Sequence, residues 1–165
     1  MNLATVNKED FKEGMRLLAG AVNIVTTKGI AGAGGFTATA VCSVTDTPPT
    51  LLVCVNKNNE LEDVLLKNKT LAVNILPSGF EELANRFAGF DGVSMEKRLE
   101  KGVWETLETG CPVLSNALAA FDCEIINTVE QGTHTIVFAR IIAVKSQAMP
   151  KTPLLYYDRG YRTIG

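Results

Sequence analysis

In the segment GFTATAVCSVTDTPPTLLVCVN (residues 35–56), hydroxyl side chains recur at alternate positions. Thr37, Thr39, Ser43 and Thr45 fall with Val41 on one side of an extended chain, and Phe36, Ala38, Ala40, Cys42 and Val44 on the other. Successive Cβ atoms of a strand point to opposite faces. One face is therefore small and apolar, suited to packing, and the opposite face offers hydroxyls around a single valine. Such a face fits a half-exposed edge strand whose hydroxyls meet water. It equally fits a wall against which a polar heteroaromatic ring can lie, with the alanines permitting close approach.

Asn56-Lys57-Asn58-Asn59 follows an apolar run and precedes a helical pattern. Backbone N–H groups would converge there with the positive potential of a helix start, and Lys57 adds charge, an arrangement suited to a phosphate. An ordinary Asn-rich turn with an N-cap explains the same residues. His134 is the only histidine and starts a strand directly after Gln131-Gly132-Thr133, where it can face a groove. A Ser–His–Asp triad or a zinc site would have to use it. Zinc would need cysteines from distant strands, and no GxSxG elbow occurs. A structural or solvent-facing histidine is the plainer reading. Paired catalytic carboxylates are not legible, because Asp and Glu are spread as solvated charge. The glycines of KGIAGAGG (residues 28–35) do not make a dinucleotide fingerprint. Position 37 is Thr rather than Gly, and the segment runs into a strand instead of a helix. A flexible hairpin is expected.

The elements that must hold these residues follow from periodicity. Asn7 caps a first helix, with Asp10 three residues on and Phe11, Met15 and Leu18 on one face. Strands are predicted over 21–27, 36–45, 50–56 and 70–76, the third apolar on both faces and hence mid-sheet. Short helices are predicted over 60–68 and from a capping box at Ser78-Gly79-Phe80-Glu81 to Ala88, with Gly89 as the stop. Residues 91–110 read as an irregular excursion carrying the only tryptophan. Long strands over 117–129 and 133–144 meet at Gln131-Gly132, and a last strand over 154–157 turns at Asp158-Arg159-Gly160. Strands do not alternate strictly with helices, so a mainly β, mostly antiparallel barrel with short helical insertions is expected, as one domain over 1–165. A formal charge of −2 with scattered basic residues gives no footprint for nucleic acid or an anionic membrane. No apolar run is longer than that of residues 51–55, far too short for a bilayer. Cys42, Cys54, Cys111 and Cys123 lie in apolar contexts without a CxxC pair and read as buried free thiols of a cytoplasmic protein.

The residues quoted above carry a resemblance. The segment 35–56, with TLAVNIL (70–76), RFAG (86–89), FDCEI (121–125), Gly132-Thr133-His134 and the ending LLYYDRGYR, closely resembles the small flavin reductases that serve two-component flavin-dependent monooxygenases. The likeness covers nearly the whole chain in order, and includes the reductases paired with 4-hydroxyphenylacetate 3-hydroxylase and with the pyrimidine-ring-opening monooxygenase. It implies an FMN-binding split β-barrel, a homodimer, and FMN or FAD bound near the subunit interface. NADH or NADPH would pass hydride to the flavin, and reduced flavin would diffuse to a separate oxygenase. It also implies that Thr37, Ala38, Thr39 and Ala40 line the isoalloxazine, with Ser43, Val44 and Thr45 continuing the wall. Asn56 and Lys57 would approach the phosphate, Phe87, Ala88 and Gly89 would border the flavin, His134 would face the nicotinamide, and Tyr161 and Arg162 would stand near the cofactor mouth.

Glu60 stands beside the phosphate assignment, where an acid is unfavourable unless it points away, and Thr133 replaces an Asp found in many relatives of this type. The absence of a legible acid–base dyad agrees with a reaction in which two stacked cofactor rings carry the chemistry and the protein supplies position and electrostatics. A non-catalytic flavin carrier or sensor on the same barrel, or a barrel for some other apolar ligand, are the rival expectations.

Overall fold

The computed structural model describes residues 3–149 and 152–164. Asn7 caps helix α1 (Lys8–Met15), its Oδ1 accepting from the Asp10 N–H at 2.9 Å, as the spacing predicts. No residue of α1 is buried. After the short β1 (Gly20–Ala21), β2 (Asn23–Gly29) turns at Ile30-Ala31 into β3 (Gly32–Ala38). The glycine-rich segment expected as a flexible connection is thus strand on both arms of a tight hairpin. The reason is close approach: a Cβ on Gly35 would lie 2.6 Å from Phe87 Cε1 and 3.0 Å from the Val25 carbonyl oxygen.

The hydroxyl segment expected as a single strand breaks at Thr39-Ala40 into β3 and β4 (Val41–Asp46). β3 pairs with β2, whereas β4 pairs with β5 (Pro49–Asn56) across a turn containing the cis Thr47–Pro48 peptide. Next come α2 (Glu62–Asn68), β6 (Thr70–Ile75) and α3 (Glu81–Ala88). The capping box does not form: Phe80 occupies the N-cap, and the Ser78 hydroxyl lies 2.9 Å from Thr152 Oγ1. Ser78 is drawn that way because its N–H donates to the Thr152 carbonyl at 2.8 Å. Residues 91–110 are more regular than expected, holding α4 (Met95–Arg98) and β7 (Trp104–Thr106), the latter paired with β8 (Pro112–Leu114). Trp104 orders this stretch by packing 5.6 Å from the Phe87 ring while its Nε1 donates to the Lys101 carbonyl. The long hairpin β9 (Ala119–Gln131) and β10 (His134–Ser146) follows, then β11 (Leu155–Tyr157) and β12 (Gly160–Arg162).

Seven strands form one antiparallel sheet in the order β3-β2-β6-β9-β10-β5-β4. Its two edges are consecutive in the chain, joined only by Thr39 and Ala40, so the sheet must curl until they lie side by side without pairing. One core lies inside the curl, where Phe36 and Ala38 of β3 meet Leu51, Val53 and Val55 of β5. A second lies outside β2, β6 and β9, beneath α3 and β8, and includes Ile24, Ala72, Phe87 and Leu114. Alternation sorts the residues: Ile24 and Ala72 enter the outer core, Val25, Leu71 and Val73 the inner one. β5, expected mid-sheet, is paired on both sides but stands next to the edge. This is a split β-barrel, mainly β with short helices. Of the cysteines expected to be buried, Cys111 and Cys123 are, whereas Cys54 is half-buried and Cys42 exposed, because β4 is an edge strand with little packed on it. Among the described residues no helix is long and apolar enough to cross a membrane.

Candidate functional site

Where the two sheet edges approach, every second N–H and C=O of β3 and β4 faces the gap without a ladder partner. A cleft of about 190 Å³ opens there. Thr37, Ala38, Thr39 and Ala40 supply one wall, Cys54 and Asn56 of β5 the floor, and His134 the far side. The β5–β10 register sets His134 directly opposite Asn56, and Thr133 Oγ1 lies 2.9 Å from His134 Nδ1, leaving Nε2 as the ring nitrogen available to the cleft. Cys54 is fixed by its N–H donating to the Ala40 carbonyl at 3.0 Å, and burial pushes its thiol pKa up. Thr37 turns its hydroxyl away, donating to the Ala84 carbonyl at 2.6 Å and so tying β3 to α3. Thr39, exposed at the crossover, presents the hydroxyl on this wall.

Two further hollows continue the cleft. One, of about 300 Å³, shares Phe36, Thr37 and Asn59 with it and is bounded by Glu60, Ala88, Met95 and Arg98. The other, of about 170 Å³, shares Thr37 and Thr39 and is bounded by Ala88, Phe90, Tyr156 and Tyr161. Phe87 is fully buried as the packing base of α3 and borders the first hollow, while Ala88 lines both. Gly89 ends α3 at φ 81°, a left-handed conformation that favours glycine. The Tyr161 hydroxyl donates to Asn85 Oδ1 at 2.8 Å, and burial raises its pKa.

Other expected residues stand outside these hollows. Lys57 pairs with Glu130 at 2.7 Å, and this hydrogen bond and charge hold the Glu130 carboxyl below its ordinary value. Arg162 donates to the Tyr161 carbonyl at 2.8 Å and lines none of the three. Ser43, Val44 and Thr45 lie exposed along β4, beyond the cleft. Asn56 Oδ1 accepts from the Asn58 N–H and Asn59 Oδ1 from the Leu61 N–H, both at 2.9 Å, so these side chains brace the turn before α2. Sequence reasoning gave no site role to Cys54 or Arg98, and took Asn59 only as part of the turn 56–59. Arg98 sits in a charge run that reads as solvated surface, and only the fold of 89–98 back onto β3 reveals it. Cys54 had a usable signal in its place two residues before Asn56 on the same strand.

A curled sheet with a cleft at its split defines a split-barrel protein. Residues 15–165 match the family described as Flavin reductase like domain, and the chain belongs to that family. It is 46% identical over 162 residues to an FMN reductase (NADH), RutF, of Enterobacter cloacae subsp. cloacae, covering 98% of this chain and 97% of that one. A crystal structure from Haemophilus somnus 129PT assigned as a flavin reductase is 44% identical, with a TM-score of 0.91 over 96% of this chain and 100% of that chain. The Streptomyces globisporus C-1027 NADH:FAD oxidoreductase SgcE6, solved with NAD and FAD fragments, is 26% identical with a TM-score of 0.87, covering 99% and 98%.

Proposed function

We propose that this chain is an NADH-dependent flavin reductase whose flavin ring lies in the cleft at the barrel split, with His134 on the nicotinamide side. The observation that carries this reading is the convergence of Thr37, Ala38, Thr39, Ala40, Asn56 and His134 on one neutral cleft. The residues fit a flavin. Unpaired edge-strand N–H and C=O groups can hydrogen-bond a ring rim, and Ala38, Ala40 and Ala88 leave room for the ring faces. A bound flavin supplies the hydride-accepting chemistry. The chain would hold the ring against β3, with Ala88 and Phe90 bordering the adjoining hollow, and would present His134 Nε2 as a hydrogen-bonding group for the nicotinamide carboxamide. No proton-transfer residue is needed at the hydride step, in keeping with the neutral cleft. The test is NADH oxidation by the purified protein with added FMN or FAD; turnover with neither flavin would end the proposal.

The chain works as a homodimer in this reading. Phe11, Met15 and Leu18, at 56%, 46% and 67% exposure, overhang an open groove of about 800 Å³ against β4 and β5. An apolar helix face beside a free sheet edge is a surface that monomers rarely leave bare. The groove meets the ring cleft at Thr39, Ala40 and Cys54, so a second copy seated there would border the flavin. The open cleft suits release of reduced flavin to a separate oxygenase. The exposed Cys42 thiol suits the reducing cytoplasm.

A further inference from the structure

We infer that Asn23 is a positioning residue for the ring cleft, its side-chain amide setting the spacing between the β3 wall and the aromatic wall beside it. This rests on the flavin reading above. Asn23 interrupts the run AVNIVTT (residues 21–27), where a short polar amide is out of place by type among β-branched residues. It is only 3% exposed. Its Nδ2 donates to the Ala21 carbonyl at 3.0 Å and to the Ala38 carbonyl at 3.1 Å. Ala21 ends β1 and Ala38 ends β3, so one amide joins the last residues of strands that belong to different sheets. An uncharged NH₂ group has a donor for each acceptor, whereas a hydroxyl has one and an apolar side chain none.

The two strand ends that the amide joins carry the two sides of one hollow. The space of about 170 Å³ beside the ring cleft is bounded by Thr37 and Thr39 on the β3 side and by Tyr156 and Tyr161 on the small sheet. The aromatic side is braced, since the two rings pack edge to face at 5.6 Å and Tyr161 donates to Asn85. Gly20 stands opposite Tyr156 in the β1–β11 register, and a Cβ on it would lie 3.2 Å from Thr39 Cβ. β1 therefore abuts the crossover, and the Asn23 amide holds it there. Thr37 is tied to α3 through the Ala84 carbonyl, and the Ala40 carbonyl to β5 through the Cys54 N–H. Asn23 supplies the tie between these two, at Ala38. Hydride transfer between stacked rings is sensitive to displacements of about 1 Å, so the placing of this wall bears on rate as well as affinity.

The experiment measures the FMN dissociation constant, kcat for NADH oxidation at saturating FMN, and urea unfolding for the wild type, Asn23→Ala and Asn74→Ala. Asn74 is the matched control. It is fully buried, its Nδ2 donates to the Ile24 carbonyl at 3.0 Å and its Oδ1 accepts from the Leu114 N–H at 2.8 Å, yet it lines neither the cleft nor its two continuations. Both variants should lose stability. Only Asn23→Ala is expected to weaken FMN, by about fivefold or more, and to lower kcat by a similar factor. Asn23→Ser keeps one donor and should fall between, at about twofold or more in each, and it carries the comparison if Asn23→Ala does not fold. Wild-type FMN affinity and kcat in the folded Asn23 variants overturn the assignment. So does an equal effect of Asn74→Ala on both quantities, which would mark Asn23 as purely structural. Either result leaves the flavin reading standing, whereas a wild type that neither binds nor reduces FMN or FAD would defeat that reading and this inference with it.

Discussion

At the scale of single residues, His134 acquires its position from strand register. Its backbone faces Asn56 while Thr133 braces Nδ1. His134→Ala is expected to raise the KM for NADH about tenfold, near the value of one good polar contact, with a smaller change for flavin. An unchanged NADH dependence in steady-state kinetics removes His134 from the site. Thr39→Val deletes the exposed hydroxyl without changing shape, and should weaken flavin by about 0.5–1.5 kcal/mol in a fluorescence titration. Cys123 gives a pH signature. Burial first, then the charge of Asp122, pushes its thiol from the ordinary 9.0 up to about 12. Its folded pKa is raised, so its contribution is complete below the unfolded value and is lost as pH climbs from there toward 12. Stability should then fall by up to about 1.4 kcal/mol per pH unit above about pH 9. Cys123→Ala should show a flatter alkaline slope in denaturant titrations, whatever its stability near neutrality. The residues themselves were legible, since a lone histidine and a hydroxyl-rich segment draw notice by type. The direction of the Thr37 hydroxyl toward Ala84 was not, because nothing in the local pattern announces a helix packed behind β3.

At the scale of elements, the instructive error is the break at Thr39-Ala40. The alternation of types runs unbroken from Phe36 to Thr45, so a local reading sees one strand. Pairing decides otherwise, as β3 has its partner in β2 and β4 has its partner in β5 on the opposite edge. The glycine-rich hairpin taught the converse: glycines that suggest flexibility locally are needed where Phe87 presses against β3. Gly35→Ala is therefore expected to cost about 1–3 kcal/mol, the usual range for overpacking, because its Cβ meets an aromatic ring and a backbone carbonyl. Urea unfolding reads this directly, and a loss under about 0.5 kcal/mol would show that Phe87 can shift aside. The β9–β10 hairpin was legible to within about two residues at each end, because long alternating runs on either side of a Gly turn leave few alternatives, but its two register shifts were not.

For the whole molecule, the unfinished surface is the groove between α1 and the β4–β5 edge. Replacing Phe11 and Met15 by Glu is expected to convert a dimer into monomers in sedimentation, with little change in monomer stability, since neither side chain is buried. A monomeric wild type would refute the homodimer. The general architecture could be anticipated from many strands interrupted by few helices. The curl could not, because it follows from which strands pair over long separations. That curl has an evolutionary consequence. In the reading proposed above the recognition surface lies along a seam whose β4 side packs on little else, and Thr39, Ala40 and nearly all of β4 are exposed. Surface substitutions of this kind typically change stability by no more than about 0.5 kcal/mol. A lineage could therefore alter which ring or partner the seam accepts while both cores go on stabilising the same barrel, so specificity can drift without eroding the fold.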